Sequence, residues 1–359
     1  YKASWLNELE NPLPLGLATQ PSINLLGLDR KATGVGFTCA ACHTGQIIQN
    51  GTRYIIDGGP SMTDLGQFKQ ALAAAVGQTV LSSKLSPFDY RFQRFAEQVL
   101  GSRNSLLARQ TLKSELQAVV AAISQNKEII DVTEGYSRLD ALNRIGNKVF
   151  ADDMARKENY TAINAPVNYP HIWTTSWFDW VQYDGSIMQP LIRNAGEALG
   201  VAAQVDLTPN LKRGQPAFAS FSNSIPVKGL YNIETWLAGE YPFKNEQNPS
   251  FNGLQAPIWP ANFTSLNTAQ EQHKQMVSRE EGKALYQQMC VRCHLPAINT
   301  AEFWGDKYWQ TIKYKNITGQ DMATDQRYLT LNIIPQTIIG TDPAQGKVLA
   351  DRTVNTLGV

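Results

Sequence analysis

The chain has no run of about 18 uninterrupted apolar residues, which argues against a membrane-spanning helix. Charge of one sign is also scarce. Lys and Arg number 32 against 31 Asp and Glu, for a net charge of +1. No long run of either sign occurs, so nothing points to nucleic acid or to an anionic membrane as a partner. No internal repeat appears beyond the short motifs described below. The first residue is Tyr1 rather than Met, which predicts that a signal segment has been removed or that the chain starts late. The last residues, Asn355 to Val359, carry neither a helix stop nor a polar tail, and predict that more chain follows. Histidine is rare at four residues, and so is cysteine at four.

What is present describes an ordinary globular protein. Apolar residues make up 43% and charged residues 18%, and 359 residues can bury one large core or two to three domains.

All four cysteines fall in two copies of one pattern: Cys39-Ala40-Ala41-Cys42-His43 and Cys290-Val291-Arg292-Cys293-His294. Cys-x-x-Cys-His is the attachment signature of haem c. Each thiol adds across a haem vinyl group, the two-residue gap matches the vinyl spacing, and the adjacent histidine reaches the iron. Three other readings compete. Structural disulfides would not require the histidine. A redox Cys-x-x-Cys site is usually single and follows a strand. A zinc module does not separate its cysteine pairs by ~250 positions. Two covalent haem c groups with their iron are therefore expected, at Cys39, Cys42 and His43 and at Cys290, Cys293 and His294. Haem c is attached outside the cytoplasmic membrane, so a periplasmic or secreted protein is expected. With every cysteine engaged, no disulfide within the chain is expected.

Gly and Pro crowd the first motif (Pro12, Pro14, Gly16, Pro21, Gly27, Gly34, Gly36, Gly45), and the region reads as a wrapping loop. Gly34-x-Gly36 lacks the third glycine of a dinucleotide site and reads as room for backbone passing close to a porphyrin. Arg53–Asp57 is a strand candidate closed by Gly58-Gly59-Pro60. Helices are expected over 61–76, where Leu65, Phe68, Leu72 and Val76 keep the helical period, and over 86–100, with Ser86 as cap and Pro87 in the first turn. Further helices are expected over 104–130 and 137–150. Ser278 and Glu281 form a capping-box pattern before a helix from Glu280 to Met289 that delivers Cys290. The expected fold is mainly α: two cytochrome c-like haem domains with long loops, a large insertion and few short strands. Residues 1–165 form the first haem domain, 166–265 a connecting and pocket-forming insertion, and 266–359 an incomplete second haem domain.

The sixth position on each iron separates electron carriers from enzymes, because a second strong ligand closes the iron to oxygen and peroxide. His273 lies in a polar helical stretch and reads as a surface residue. His171, within Tyr169-Pro170-His171-Ile172-Trp173, is a structural histidine near a haem propionate, an axial ligand or a distal group. Met62, Met188 and Met322 stand where a thioether has access to iron, although packing is the default for methionine. The aromatic run Trp173, Trp177, Phe178, Trp180 and Tyr183 is plain core, the roof of a dry pocket, or a stepping path between haems.

Three stretches carry a resemblance: Gly36 to Gly45 around the first motif, Ile56-Asp57-Gly58-Gly59-Pro60, and Arg138-Leu139-Asp140-Ala141-Leu142-Asn143 with Gly146. They resemble the di-haem cytochrome c peroxidase superfamily, over most of residues 25–305. Tyr169 to Gly200, with Trp177-Phe178-Asp179-Trp180-Val181-Gln182, is similar to the branch of di-haem rubber oxygenases and bacterial fatty-acid dioxygenases. The resemblance implies an N-terminal haem that binds oxygen on an open face and a C-terminal haem held by two histidines. His43 would be the proximal ligand of the active haem and His294 one ligand of the second. Trp173 and Met188 would line the distal pocket. The branch's second histidine for the C-terminal haem lies beyond Val359, and no distal acid–base carboxylate of the peroxidase kind is evident. The implied function is an exported di-haem dioxygenase acting on an unsaturated apolar substrate. A peroxide-reducing enzyme of the same fold, served by an electron-donor protein, is the first alternative, and a pure electron-transfer cytochrome is the second.

Overall fold

The computed structural model describes residues 13–24, 31–49, 51–85, 90–125, 128–201, 203–207, 222–257, 269–291, 293–316 and 318–356. In chain order these begin with strands β1 (Leu17–Asn24), β2 (Lys31–Phe37), β3 (Thr44–Gln49) and β4 (Thr52–Asp57). Helices α1 (Leu65–Leu85), α2 (Tyr90–Leu100) and α3 (Leu106–Gln125) follow. Next come β5 (Arg138–Leu139), α4 (Ala141–Asn147), a π-helical turn over Lys148–Asp153, and the short strands β6 (Val167–Asn168), β7 (Trp180–Val181) and β8 (Ile187–Met188). The remainder holds α5 (Pro190–Gly200), α6 (Val227–Ala238), α7 (Ala269–Met289), β9 (Trp309–Lys315), β10 (Asp321–Leu329), α8 (Gln336–Ile339) and α9 (Ala344–Asp351).

The mainly α expectation is overturned. Helical residues, short 3-10 and π turns included, make up 45% of the described residues and ten strands 17%, a mixed composition in place of two mainly α, cytochrome c-like domains. Among the described residues every strand pairs with one antiparallel neighbour, in five separate two-stranded sheets. The physical reason the strands escape a sequence reading is local. In β3 both Ile47 and Ile48 are exposed, so no alternation of apolar and polar residues marks the hairpin. In the β1–β2 pair the register shifts between Gln20 and Ile23, across Pro21, which breaks any regular period.

The contacts divide the chain into two compact units, each built from separate segments. The first comprises 1–42, 62–140 and 161–169; the second comprises 43–61, 141–160 and 170–359.

In the first unit α1, α2 and α3 pack on one another. Asp64 caps α1, its Oδ1 accepting the Gln67 N–H at 2.9 Å. Ser82 Oγ accepts the Phe92 N–H at 3.0 Å, and Lys113 Nζ donates to the Ser83 carbonyl at 3.0 Å. The Ser86 cap and Pro87 first turn lie outside the described residues. Asp140 is fully buried and is held by the N–H groups of Asn164 and Ala165.

In the second unit the core is aromatic: Trp177, Phe243, Phe251, Phe303, Tyr308 and Trp309 surround Leu329. Helix α7 runs without a break through Ser278 and Glu281, so these two residues stand mid-helix and do not form the expected capping box. A Ser and a Glu three apart face the same side of any helix, and without a breaker before them the pattern marks no start.

Candidate haem-attachment sites

The two thiols of the first motif belong to the first unit. After β2 the chain turns through Cys39–Ala41, a single 3-10 turn in which the Cys42 N–H bonds the Cys39 carbonyl at 3.2 Å. Cys39 is exposed and Cys42 half-buried. The turn is backed closely by main chain: the Thr38 N–H donates to the Gly16 carbonyl at 2.8 Å. Gly16 has φ +90°, and a Cβ there would stand 2.6 Å from Ala41 Cα. Thr63 Oγ1 donates to the Ala41 carbonyl at 2.8 Å, and the Tyr169 hydroxyl donates to the Thr63 carbonyl at 3.2 Å. Burial, and next to it the Cys42 sulfur, push the Tyr169 phenol well above its ordinary pKa.

His43 belongs to the second unit, at the foot of the β3–β4 hairpin. Its imidazole Nδ1 lies 2.8 Å from the Pro170 carbonyl. A carbonyl only accepts, so Nδ1 carries the proton. This is the usual second bond of a ligating histidine. Burial is the main reason the His43 pKa falls below its ordinary value; nearby Arg193 adds to the fall and the Pro170 bond opposes it. Three further bonds fix the same contact. The Gly58 N–H donates to the His43 carbonyl at 2.9 Å, and the Ile172 N–H to the Gly58 carbonyl at 2.9 Å. The Trp173 indole donates to the Asp57 carbonyl at 2.8 Å. Gly58 has φ +74°, and a Cβ there would meet the Trp173 indole at 2.8 Å.

The second motif ends α7. The Cys290 N–H bonds the Tyr286 carbonyl at 2.9 Å, and the Cys293 and His294 N–H groups both reach the Cys290 carbonyl, at 3.0 and 2.8 Å. The Tyr286 hydroxyl donates across this turn to the Leu295 carbonyl at 2.8 Å. Cys290 is half-buried; Cys293 and His294 are exposed. No disulfide joins any of the four cysteines. In each motif two thiols on one tight turn, followed directly by an imidazole, fit the donor set of a covalent haem c.

One short segment binds His43 and lies within electrostatic range of His294. Pro170 holds His43, while His171 stacks on Trp173 at 4.9 Å. The His171 pKa is lowered by burial first and by proximity to His294 second. The second unit thus brings His43, His171, Trp173 and His294 to one neighbourhood. Met188 lies on the β7–β8 hairpin, opposite Trp180. Met62 and Met322 are exposed, as is His273 on α7.

A polar cluster on α5 and its surroundings went unread in the sequence. Arg193 Nη2 pairs with Glu234 Oε1 at 2.7 Å, with side chains only 13% and 11% exposed. Ser176 and Asn194 donate to the same carboxylate. Glu197 accepts from Gln182 Nε2 at 2.8 Å. Burial raises the Glu197 pKa, with Gln182 and Arg193 offsetting part of the rise. Arg193 therefore sits within electrostatic range of both His43 and Glu197. The sequence offers only an Arg and a Glu four apart, which on a helix is more often a solvated pair.

The chain is similar to the longer uncharacterized protein y4iJ of Sinorhizobium fredii (strain NBRC 101917 / NGR234), at 43% identity over 359 residues. The match covers 95% of this chain and 55% of that protein, so the chain spans about half the length of the curated relative it matches. No family model and no solved structure matches the chain. No helix among the described residues is long and apolar enough to cross a membrane.

Proposed function

We propose that this chain belongs to an exported di-haem c-type oxidoreductase of the di-haem peroxidase superfamily. It activates dioxygen at the N-terminal site and oxidises or cleaves an unsaturated apolar substrate. The observation that carries the reading is His43, whose Nδ1–H is committed to the Pro170 carbonyl at 2.8 Å, directly after two thiols on one turn. The bond to Pro170 fixes the tautomer and the ring plane, in which Nε2 is the nitrogen that would ligate an iron.

When bound, the first haem supplies the iron at which dioxygen is activated. Cys39, Cys42 and His43 would hold it. Trp173, anchored by its bond to Asp57, would with Met188 keep water away from the apolar substrate. Cys290, Cys293 and His294 would hold the second haem. The periplasm or the extracellular space is the proposed location.

A second reading has an observation of its own. Glu197, hydrogen-bonded to Gln182 and with its pKa raised by burial, is a carboxyl able to move a proton near Arg193 and His43. That supports peroxide reduction with electrons from a donor protein.

The test begins with a pyridine haemochrome assay, for which two haems c per chain are expected. Serine at Cys39 and Cys42 should leave one. Low-temperature EPR then separates an open high-spin iron from two closed low-spin irons. Oxygen uptake with unsaturated lipids or polyisoprenes supports the oxygenase. Peroxide consumption dependent on Glu197 and a reduced donor supports the second reading. Two low-spin irons indifferent to both oxidants sink both readings and leave an electron carrier.

A further inference from the structure

The core of the second unit holds one polar atom that packing does not account for. Trp309 is 2% exposed, and its indole N–H meets no acceptor among the described residues. Buried donors nearly always find a partner, and an exception asks for a reason. The neighbouring indoles are satisfied: Trp304 donates to the Ile298 carbonyl at 3.0 Å and Trp177 to the Ala238 carbonyl at 2.9 Å. Trp304 stacks on Trp309 at 5.7 Å between centroids, with ring planes 10° apart. Leu295 and Ile298, just past His294, pack against this cluster, so it abuts the second haem motif. Next along the chain is Tyr308, also buried. Its hydroxyl lies 3.4 Å from the Glu302 carboxylate and 3.0 Å from Lys307 Nζ.

The proton acceptors set what each ring does on losing an electron. An oxidised indole is strongly acidic, and a base at its N–H would take the proton and trap the vacancy there. Trp309 faces no acceptor among the described residues, and an amide carbonyl at Trp304 is too weakly basic to take a proton. Both rings therefore pass an electron vacancy on without keeping it. A phenol keeps it, because oxidation drives its proton off and a carboxylate within reach receives it.

We propose that Trp304 and Trp309 relay one-electron oxidising equivalents from the second haem site to Tyr308, with Glu302 as the proton acceptor. The inference rests on the haem reading above. With hydrogen peroxide as oxidant the steps balance as follows. Trp309 gives one electron toward the site where peroxide is reduced. Tyr308 refills the indole with one electron while its phenolic proton passes to Glu302. A phenolic or protein one-electron donor then reduces the Tyr308 radical, and Glu302 returns the proton. Two such rounds, with two protons from solvent, reduce one peroxide to two waters.

The test is freeze-quench EPR on the haem-loaded protein after adding hydrogen peroxide, with haem content measured beforehand by pyridine haemochrome. The wild type is expected to show a tyrosyl signal. Tyr308→Phe, which keeps the ring, should lose it, with oxygen adducts appearing at Trp304 and Trp309 in peptide mass spectra. Glu302→Gln should slow its appearance. Circular dichroism confirms that each variant is folded. A tyrosyl signal unchanged in Tyr308→Phe, or no protein radical from a chain carrying two haems, overturns the relay and leaves the haem reading intact. A chain without haem overturns both.

Discussion

Replacing Arg193 by Met tests the polar cluster beside the first site. The change removes a cation from Glu234, whose side chain is 11% exposed. Breaking a buried ion pair by deleting one partner typically costs about 3–5 kcal/mol, because the remaining charge stays buried without its counter-ion. Glu234 keeps two donors, Ser176 and Asn194, and hydrogen bonds to a charged group contribute roughly 1.5–3 kcal/mol each, so the loss should fall at the lower end, about 2–4 kcal/mol. Adding Glu234→Gln to Arg193→Met removes the stranded charge while leaving an amide for the same donors. The double variant should recover about 1–2 kcal/mol, in keeping with coupling energies between residues in contact. The assay is urea unfolding followed by tryptophan fluorescence. Seven of the eight tryptophans fall in the second unit, so the signal follows the unit that contains the cluster. A single variant that costs under about 1 kcal/mol, the range of exposed pairs, would refute the buried-pair argument. So would a double variant less stable than Arg193→Met alone.

Further outcomes follow from the same contacts. Gly16→Ala should destabilise the first unit by about 2 kcal/mol or more, since a positive φ alone costs roughly 1–2 kcal/mol and Ala41 backbone stands in the way; haem content should fall toward one per chain with the second site unaffected. The Glu197 pKa is raised on folding, so the folded state binds its proton more tightly than the unfolded one. The stability from this group is present at low pH and is lost as pH rises through the raised value. Glu197→Gln should therefore gain stability relative to wild type at neutral pH and lose that advantage near pH 4, as read from urea midpoints across pH. Gly253→Ala should cost several kcal/mol, of order the largest single-site effects, because its Cβ would lie 2.1 Å from the Leu237 carbonyl oxygen; soluble yield and thermal unfolding report it.

Much of the helical architecture was legible. The spacing of Leu65, Phe68, Leu72 and Val76 placed α1, and the period before Gly101 placed the described part of α2, because a helix writes its buried face into residues three and four apart. The strand at Arg53–Asp57 was legible too, and lies within β4. Its partner was not, since exposed Ile47 and Ile48 present no alternation. The false start at Ser278 shows the converse: a local pattern that matches a cap carries no weight when the helix already extends from Ala269.

At the site, the two Cys-x-x-Cys-His motifs and the identity of His43 and His294 as candidate ligands were written in consecutive residues, because covalent attachment needs its groups at a fixed short spacing. Which tautomer His43 adopts depended on Pro170, 127 positions away, and the anchoring of Trp173 on Asp57, 116 positions away. The approach of His171 to His294 and the desolvation of Glu197 likewise come from chain returning over itself. The sequence by itself determined the two Cys-x-x-Cys-His motifs and the helical periods, which are local. Only the tertiary structure decided which carbonyl, carboxyl and ring face each of those residues, since burial and hydrogen bonding between distant segments leave no periodic trace in the residues they join.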